Sequence, residues 1–223
     1  TSTGNVEIAQ KLIHAGDTNT FLEFLTDTIC FDTAGSERAR IDSSGRFLIG
    51  TSTSRGIGGT ATRRFQVEGT GNNGLSLTRN SADNNPVFIS LGKSRGTSVG
   101  GTTIVQDNDD LGEIQFCGAD GVDLITRAAT IRAKVDGTPG ADDLPGSLIF
   151  STTADGANSP TDRVTIDSSG RVGIGTTSPD VDLHVSGASS VVEIESTSSS
   201  SSARLTIKSA NDTYTGVHFG DDA

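Results

Sequence analysis

The chain has no tryptophan, no methionine and a single tyrosine, Tyr214, among its 223 residues. An extended saccharide groove needs aromatic faces to stack on, so a long sugar-binding platform is disfavoured. Two cysteines, Cys30 and Cys117, are too few for a disulfide framework and fit no zinc spacing. Both sit in alternating apolar text (Thr28-Ile29-Cys30-Phe31 and Ile114-Gln115-Phe116-Cys117) and read as buried free thiols. No apolar run approaches the ~20 residues of a membrane helix, and no signal peptide opens the chain. Without even an initiator methionine, the sequence reads as a piece of a longer or processed polypeptide. Positive charge is short as well: 17 Lys and Arg against 28 Asp and Glu give a formal net charge of −11. An acidic surface repels phosphate backbones and anionic headgroups, which argues against nucleic-acid binding and membrane insertion.

What is abundant is glycine, serine and threonine, while the hydrophobic fraction is 32% and nine Phe carry most of the aromatic packing. One copy therefore has little to bury, and association is the usual remedy. The dominant period is two. Phe21-Leu22-Glu23-Phe24, Val87-Phe88-Ile89-Ser90-Leu91, Glu113-Ile114-Gln115-Phe116, Thr130 to Val135 and Leu205-Thr206-Ile207-Lys208 read as short strands bounded by turn formers. Only Val6 to Ile13 could pass for a helical turn or two. The fold class is all-β.

The most telling feature is internal repetition. Ser36-Glu37-Arg38-Ala39-Arg40-Ile41-Asp42-Ser43-Ser44-Gly45-Arg46-Phe47-Leu48-Ile49-Gly50-Thr51 returns 125 positions later as Thr161 to Thr176, with Ile-Asp-Ser-Ser-Gly-Arg unchanged. Repetition of this kind marks a modular architecture. Asp first and Gly fourth is the pattern of a type I turn closed by a left-handed residue, so each copy reads as a tight hairpin turning at Asp-Ser-Ser-Gly. A β-branched residue resists that conformation, so Gly45→Val or Gly170→Val should hurt folding. A further strand follows, Phe65 to Gly69 or Leu183 to Gly187. The first copy carries seven extra residues, with Gly56-Ile57-Gly58-Gly59 read as an inserted loop. Beyond it, Leu75, Leu77, Val87 and Ile89 match Val192, Ile194, Leu205 and Ile207, which makes the serine run Ser198 to Ser202 a hairpin tip equivalent to Asn80 to Asn85. A second module then starts near residue 188 and is expected to be cut off at 223.

The repeated strings, Leu183-His184-Val185, His14-Ala15-Gly16-Asp17-Thr18-Asn19-Thr20-Phe21 and Gly137-Thr138-Pro139-Gly140 resemble repeats of tail-fibre and tail-spike proteins of tailed bacteriophages, marine and cyanobacterial ones in particular. The resemblance covers nearly the whole chain. It implies an elongated, intertwined parallel homotrimer with β-prism or β-helix-like shaft segments and a β-sandwich-like knob. Fibres of this type often end in a self-cleaving chaperone domain, and nothing in this sequence matches one. On this reading residues 1–35 are an N-terminal shaft segment, 36–69 repeat copy 1, 70–160 the knob, 161–187 repeat copy 2, and 188–223 the start of a second β-domain. The implied partners are further copies of the chain, other phage tail proteins and a host surface glycan or protein. The implied location is the extracellular face of the virion.

Chemical motifs were sought and discounted. Gly96-Thr97-Ser98-Val99-Gly100 fits G-x-S-x-G, but a nucleophile elbow needs a strand before it and a helix after it, and Gly101-Thr102-Thr103-Ile104-Val105 reads as strand. Gly92-Lys93-Ser94 lacks the earlier glycine of a phosphate loop, where Val87 stands. Asp107-Asn108-Asp109-Asp110 and Asp142-Asp143 could offer oxygens to Ca²⁺, yet neither follows a calcium-loop spacing, and solvated loop carboxylates are expected instead. His14, His184 and His218 lie in separate strand contexts, and His184 is placed on the surface or at a trimer axis. The sequon Asn211-Asp212-Thr213 has no consequence in a bacterial host. No catalytic, cofactor-binding or metal residue is assigned. The expected function is a non-enzymatic structural segment of a tail fibre, with a tail-spike polysaccharide depolymerase or a bacterial trimeric surface adhesin as the alternatives. A receptor site within this segment is expected, if anywhere, on the 92–110 or 136–146 loops.

Overall fold

The computed structural model describes residues 7–195, which contain strands and connecting segments and no helix. The first sheet runs β1 (Lys11–His14), β2 (Asp17–Leu25), β3 (Thr28–Thr33), β4 (Ser36–Ile41), β5 (Phe47–Ile49) and β6 (Phe65–Val67). The second runs β7 (Asp110–Cys117), β8 (Arg127–Val135), β9 (Gly146–Thr152), β10 (Thr161–Ile166), β11 (Val172–Ile174) and β12 (Leu183–Val185). Every strand pairs with its sequence neighbour. In each sheet the first five strands are antiparallel and the last pair is parallel. Short turns make this possible. β3 and β4, for example, are joined by Ala34-Gly35 at φ of 52° and 71°, angles whose twist matches a two-residue hairpin.

The two repeat copies share one backbone. Ala39, Arg40 and Ile41 face Ile49, Leu48 and Phe47 in the first, and Val164, Thr165 and Ile166 face Ile174, Gly173 and Val172 in the second. At each tip the glycine N–H donates to the aspartate carbonyl, 2.8 Å at Gly45 and 2.9 Å at Gly170. The carboxylates of Asp42 and Asp167 close the turn from inside, each accepting two backbone N–H groups and the Nε of the following arginine. After each hairpin a glycine at positive φ, Gly50 or Gly175, donates back to Arg38 or Arg163 and turns the chain towards the parallel strand. The seven extra residues of the first copy reach across to the second sheet: Gly58 N–H donates to Leu124 O at 3.0 Å, and Gly58 lies over Gln115 and Cys117.

Several expectations are corrected. Lys11–His14 is a strand, in the stretch Val6 to Ile13 that could pass in sequence for a helical turn or two. Pairing Leu12 with Leu22 and Ile13 with Phe21 gives cross-strand contacts that an isolated helical turn lacks. Val87 to Leu91, and the Leu75 and Leu77 segment before it, run without turn or bend but belong to no strand, because none of their backbone groups hydrogen-bonds to a described strand. Cys117 is half-buried, not buried, since it ends β7 at a register shift on the sheet edge; Cys30 is 1% exposed. The described residues form two separately hydrogen-bonded sheets, and of the strands in residues 70–160 all three, β7 to β9, belong to the second. Sheet hydrogen bonding is also continuous across 35/36 and 160/161, through β3–β4 and β9–β10. Leu205 to Lys208, the serine run, Asn211 to Thr213, Tyr214 and His218 lie outside the described residues.

Candidate assembly surface

Strand alternation gives each sheet one apolar and one polar face, and the register identifies both. Across the first sheet, Leu12, Leu22, Phe31, Ala39, Ile49 and Val67 form one row of facing residues. Beside it runs Phe24, Ile29, Ile41, Phe47 and Phe65. Three of these rings are in contact: Phe47 meets Phe31 edge-on at 6.4 Å and Phe65 at 5.9 Å between centroids. The second sheet repeats the arrangement. Ile114, Ile131, Phe150, Val164, Ile174 and Val185 form one row, and Ala133, Leu148, Ile166, Val172 and Leu183 the next.

Among the described residues these faces are covered only in part: Val135, in line with Ile131 and Ala133, is buried, while large side chains elsewhere on them stay open. Phe65 is 54% exposed and Leu183 60%. Among the described residues only Cys30, Leu48, Val105, Val135 and Ile149 are buried apolar side chains, against thirty-one exposed large ones. Four of the five cannot belong to the apolar faces: Cys30, Leu48 and Ile149 lie in rows of opposite parity, and Val105 is in a connecting segment. Contiguous apolar area of this extent marks an interaction surface.

The opposite faces carry polar networks that leave four buried side-chain atoms without a hydrogen-bond partner: Asp32 Oδ2, Arg132 Nε, Thr165 Oγ1 and His184 Nδ1. In the first sheet Arg40 pairs with Glu37 through its Nε and Nη2, Lys11 lies 3.4 Å from Glu23, and the Gln66 side chain both donates to and accepts from the Arg55 backbone. Arg40 beside Glu37 holds that carboxyl below its ordinary range, whereas burial, then Glu37 and Glu23, pushes Asp32 up. In the second sheet Arg132 lies 3.3 Å from Asp162, whose other oxygen accepts from Ser151 at 2.7 Å. The Thr165 hydroxyl is buried there without a partner, on the wall of a polar cavity of about 290 Å³ lined also by Lys134, Asp136, Asp162 and Ser178.

The structure brings the 92–110 and 136–146 loops together. Gly137 N–H donates to Asp107 Oδ1 at 2.9 Å, and residues of both loops line a shallow pocket of about 430 Å³ between Lys93 and Leu144. Asp109 is engaged by Arg95 and Lys93, which holds its carboxyl well below the usual range, and Asp110 lies 3.5 Å from Arg132. No cluster of three potential metal-ligating side chains occurs among the described residues. Ser98 sits in a bend with no helix after it, so the elbow geometry is absent, and Lys93 faces a carboxylate. His14 is exposed on β1. His184 is half-buried on the polar side of β12, with Nδ1 2.6 Å from Asp180. What sequence reading missed is the pair Gly50 and Gly175. A Cβ there would stand 2.0 Å from Glu68 O and 2.1 Å from Ser186 O, and the signal was visible in the shared Ile-Gly-Thr that follows each hairpin.

No family model and no curated protein sequence matches the chain. Solved structures do. The carboxy-terminal domain of the bacteriophage T5 L-shaped tail fibre is similar over 91% of this chain and 92% of its own, with a TM-score of 0.54 and 11% identity. The chain has a tail-fibre fold. A second structure of that domain, with its intra-molecular chaperone domain, is matched over 100% of this chain and 71% of its own at a TM-score of 0.55 and 12% identity. Resemblance to tail-fibre text thus extends to the backbone, at an identity too low for sequence comparison to detect.

Proposed function

We propose that the chain is a structural segment of a bacteriophage tail fibre that assembles as a parallel homotrimer, exposed on the outside of the virion. One observation carries the reading: both sheets of a chain with the fold of a tail-fibre domain present an apolar face on which large side chains such as Phe31, Phe47, Phe65, Phe150 and Leu183 are left exposed. Three copies that turn these faces towards a common axis bury the rows of Phe, Ile, Leu and Val that a single copy leaves in water, forming a prism-like shaft. The opposite faces then turn away from that axis, and the chain's net charge of −11 disfavours non-specific association.

The segment acts as spacer and scaffold, without enzymatic activity, and transmits attachment made by a receptor-binding tip elsewhere on the polypeptide. Its described residues hold neither Trp nor Tyr, the residue types that with Arg dominate binding hot spots. Light scattering on the purified segment is expected to give about three times 22.9 kDa. A well-folded monomer at micromolar concentration would sink the reading. Added in excess to host cells, the trimer is expected neither to block phage adsorption nor to release reducing sugar. Competition would move receptor recognition onto this segment, and sugar release would favour a depolymerase.

A further inference from the structure

Between β6 and β7 the chain runs from residue 68 to 109 without a strand, and residues 69–93 are exposed at every position. This stretch is rich in Gly, Asn, Ser and Thr, yet it is not uniformly polar. It holds Leu75, Leu77, Val87, Phe88, Ile89 and Leu91, with Phe88 70% and Ile89 73% exposed. It also has definite form. Arg79 clamps Asp83 and reaches Asn85 O, while Asp83 accepts from the Asn85 N–H, so Asn80 to Asn85 is a closed tip with an extended arm on each side. The arms do not hydrogen-bond to one another, and no backbone–backbone bond joins residues 69–93 to any described residue.

Three observations say what covers these arms. In an extended chain Val87, Ile89 and Leu91 point to one side and Phe88 to the other, so this arm is apolar on both faces. That pattern belongs to a strand in the interior of an assembly, not to a sheet edge facing water. The segment is also electrically neutral: residues 70–92 hold only Arg79 and Asp83, paired with each other, in a chain of net charge −11. A second acidic copy can approach here without repulsion. Finally, the arm starts from a free sheet edge. Leu91 packs over Gly112 of β7, where a Cβ would lie 2.7 Å from the Leu91 Cβ, and among the described residues β7 has a strand on one side only.

We infer that residues 75–78 and 87–91 are exchange strands, which leave their own chain at the β7 edge and hydrogen-bond into the sheet structure of a neighbouring copy. The inference rests on the homotrimer proposed above and names the segment that intertwines it. Extended backbone with unpaired N–H and C=O groups and six uncovered apolar side chains is costly in one copy, and strand exchange satisfies both demands together.

The test replaces Phe88 with the photo-cross-linker p-benzoylphenylalanine, irradiates the assembled protein and resolves it on a denaturing gel. Covalent dimers and trimers are expected. Cross-links confined to one chain, for instance to its own residues 196–223, would overturn the inference. Hydrogen exchange on the unmodified protein is the second readout, with the amides of residues 87–91 expected to exchange at least about 100-fold more slowly than in an unstructured peptide. Exchange at the unstructured rate in a protein that light scattering shows to be trimeric would sink strand exchange and leave the trimer standing. A folded monomer would instead remove the trimer itself.

Discussion

Arg40 and Thr165 occupy the same place in two copies of one structural unit, and around them almost everything on the polar face has changed. The row Cys30, Arg40, Leu48 and Gln66 of the first sheet becomes Ile149, Thr165, Gly173 and His184 in the second. On the other face the chemistry persists: Ile29, Ile41, Phe47 and Phe65 become Leu148, Ile166, Val172 and Leu183. The turn persists too, down to the aspartate that closes it and the glycine that redirects the chain. One unit thus tolerates free substitution on its polar side while its apolar side and turns stay fixed in kind. That pattern is expected if the fold is held by turn geometry and by what covers the apolar face. The first copy differs in one further respect, the seven extra residues that carry Gly58 onto Gln115 of the second sheet.

The largest effects should come from the glycines after each hairpin. Gly50→Val and Gly175→Val combine positive φ (75° and 77°) with a backbone carbonyl where the Cβ must go, and should each cost about 3–6 kcal/mol. At Gly45 and Gly170 an added Cβ meets no atom closer than 3.7 Å, so Gly45→Val and Gly170→Val should cost about 1–3 kcal/mol, chiefly from backbone strain. Chemical denaturation of the four variants would show this ordering. Equal losses at both kinds of site would mean that the tip is as crowded as the exit.

Next comes the apolar face, which the two copies fill differently. Phe47 contacts two other rings, whereas its counterpart Val172 lies between Ile166 and Leu183. If assembly covers these faces, Phe47→Ala should cost about 3 kcal/mol and Val172→Ala about 2 kcal/mol, both growing as protein concentration falls. Thermal unfolding at two concentrations checks it. Losses well under 1 kcal/mol at both sites would mean that the faces stay in water.

The strands and turns of this fold were legible because a period of two and an Asp-Ser-Ser-Gly tip are local signals. Both hairpins and their following strands could be placed from residues a few positions apart. Val87 to Leu91 was legible as extended but not as unpaired within the chain, because a sequence pattern carries no information on which molecule supplies the partner strand. Lys11 to Ile13 failed for a related reason: Leu12 and Ile13 are as compatible with a helical turn as with a strand until Phe21 and Leu22 are seen opposite them. The apolar faces became visible only through the register, which aligns residues as distant as Leu12 and Val67 into one row.

The smallest expected effect concerns a pair of acids that only the first copy contains. Asp32 lies directly opposite Glu37, while the equivalent pair in the second copy is Ser151 opposite Asp162, with the serine hydroxyl donating to the carboxylate at 2.7 Å. Burial, then Glu37 and Glu23, raises the Asp32 carboxyl, and one of its oxygens is buried without a partner. A folded-state value above the unfolded one, about 3.9 for Asp, makes its contribution to stability full below that value and lost as pH rises through the folded one. Glu37 is shifted the other way, so its contribution is lost only as pH falls below the ordinary carboxylate range. Between neutrality and about pH 4 the Asp32 term should therefore rise as the solution is acidified. Asp32→Ser gives the first copy the pairing of the second: it removes the repulsion and lets a hydroxyl donate to Glu37. It should stabilise the protein by about 1 kcal/mol at pH 7 and abolish the Asp32 share of the gain on acidification. Unfolding midpoints of both proteins at pH 7 and pH 5 measure this. An Asp32→Ser variant less stable than the parent at pH 7 would show that Asp32 holds a favourable contact within the assembled fibre.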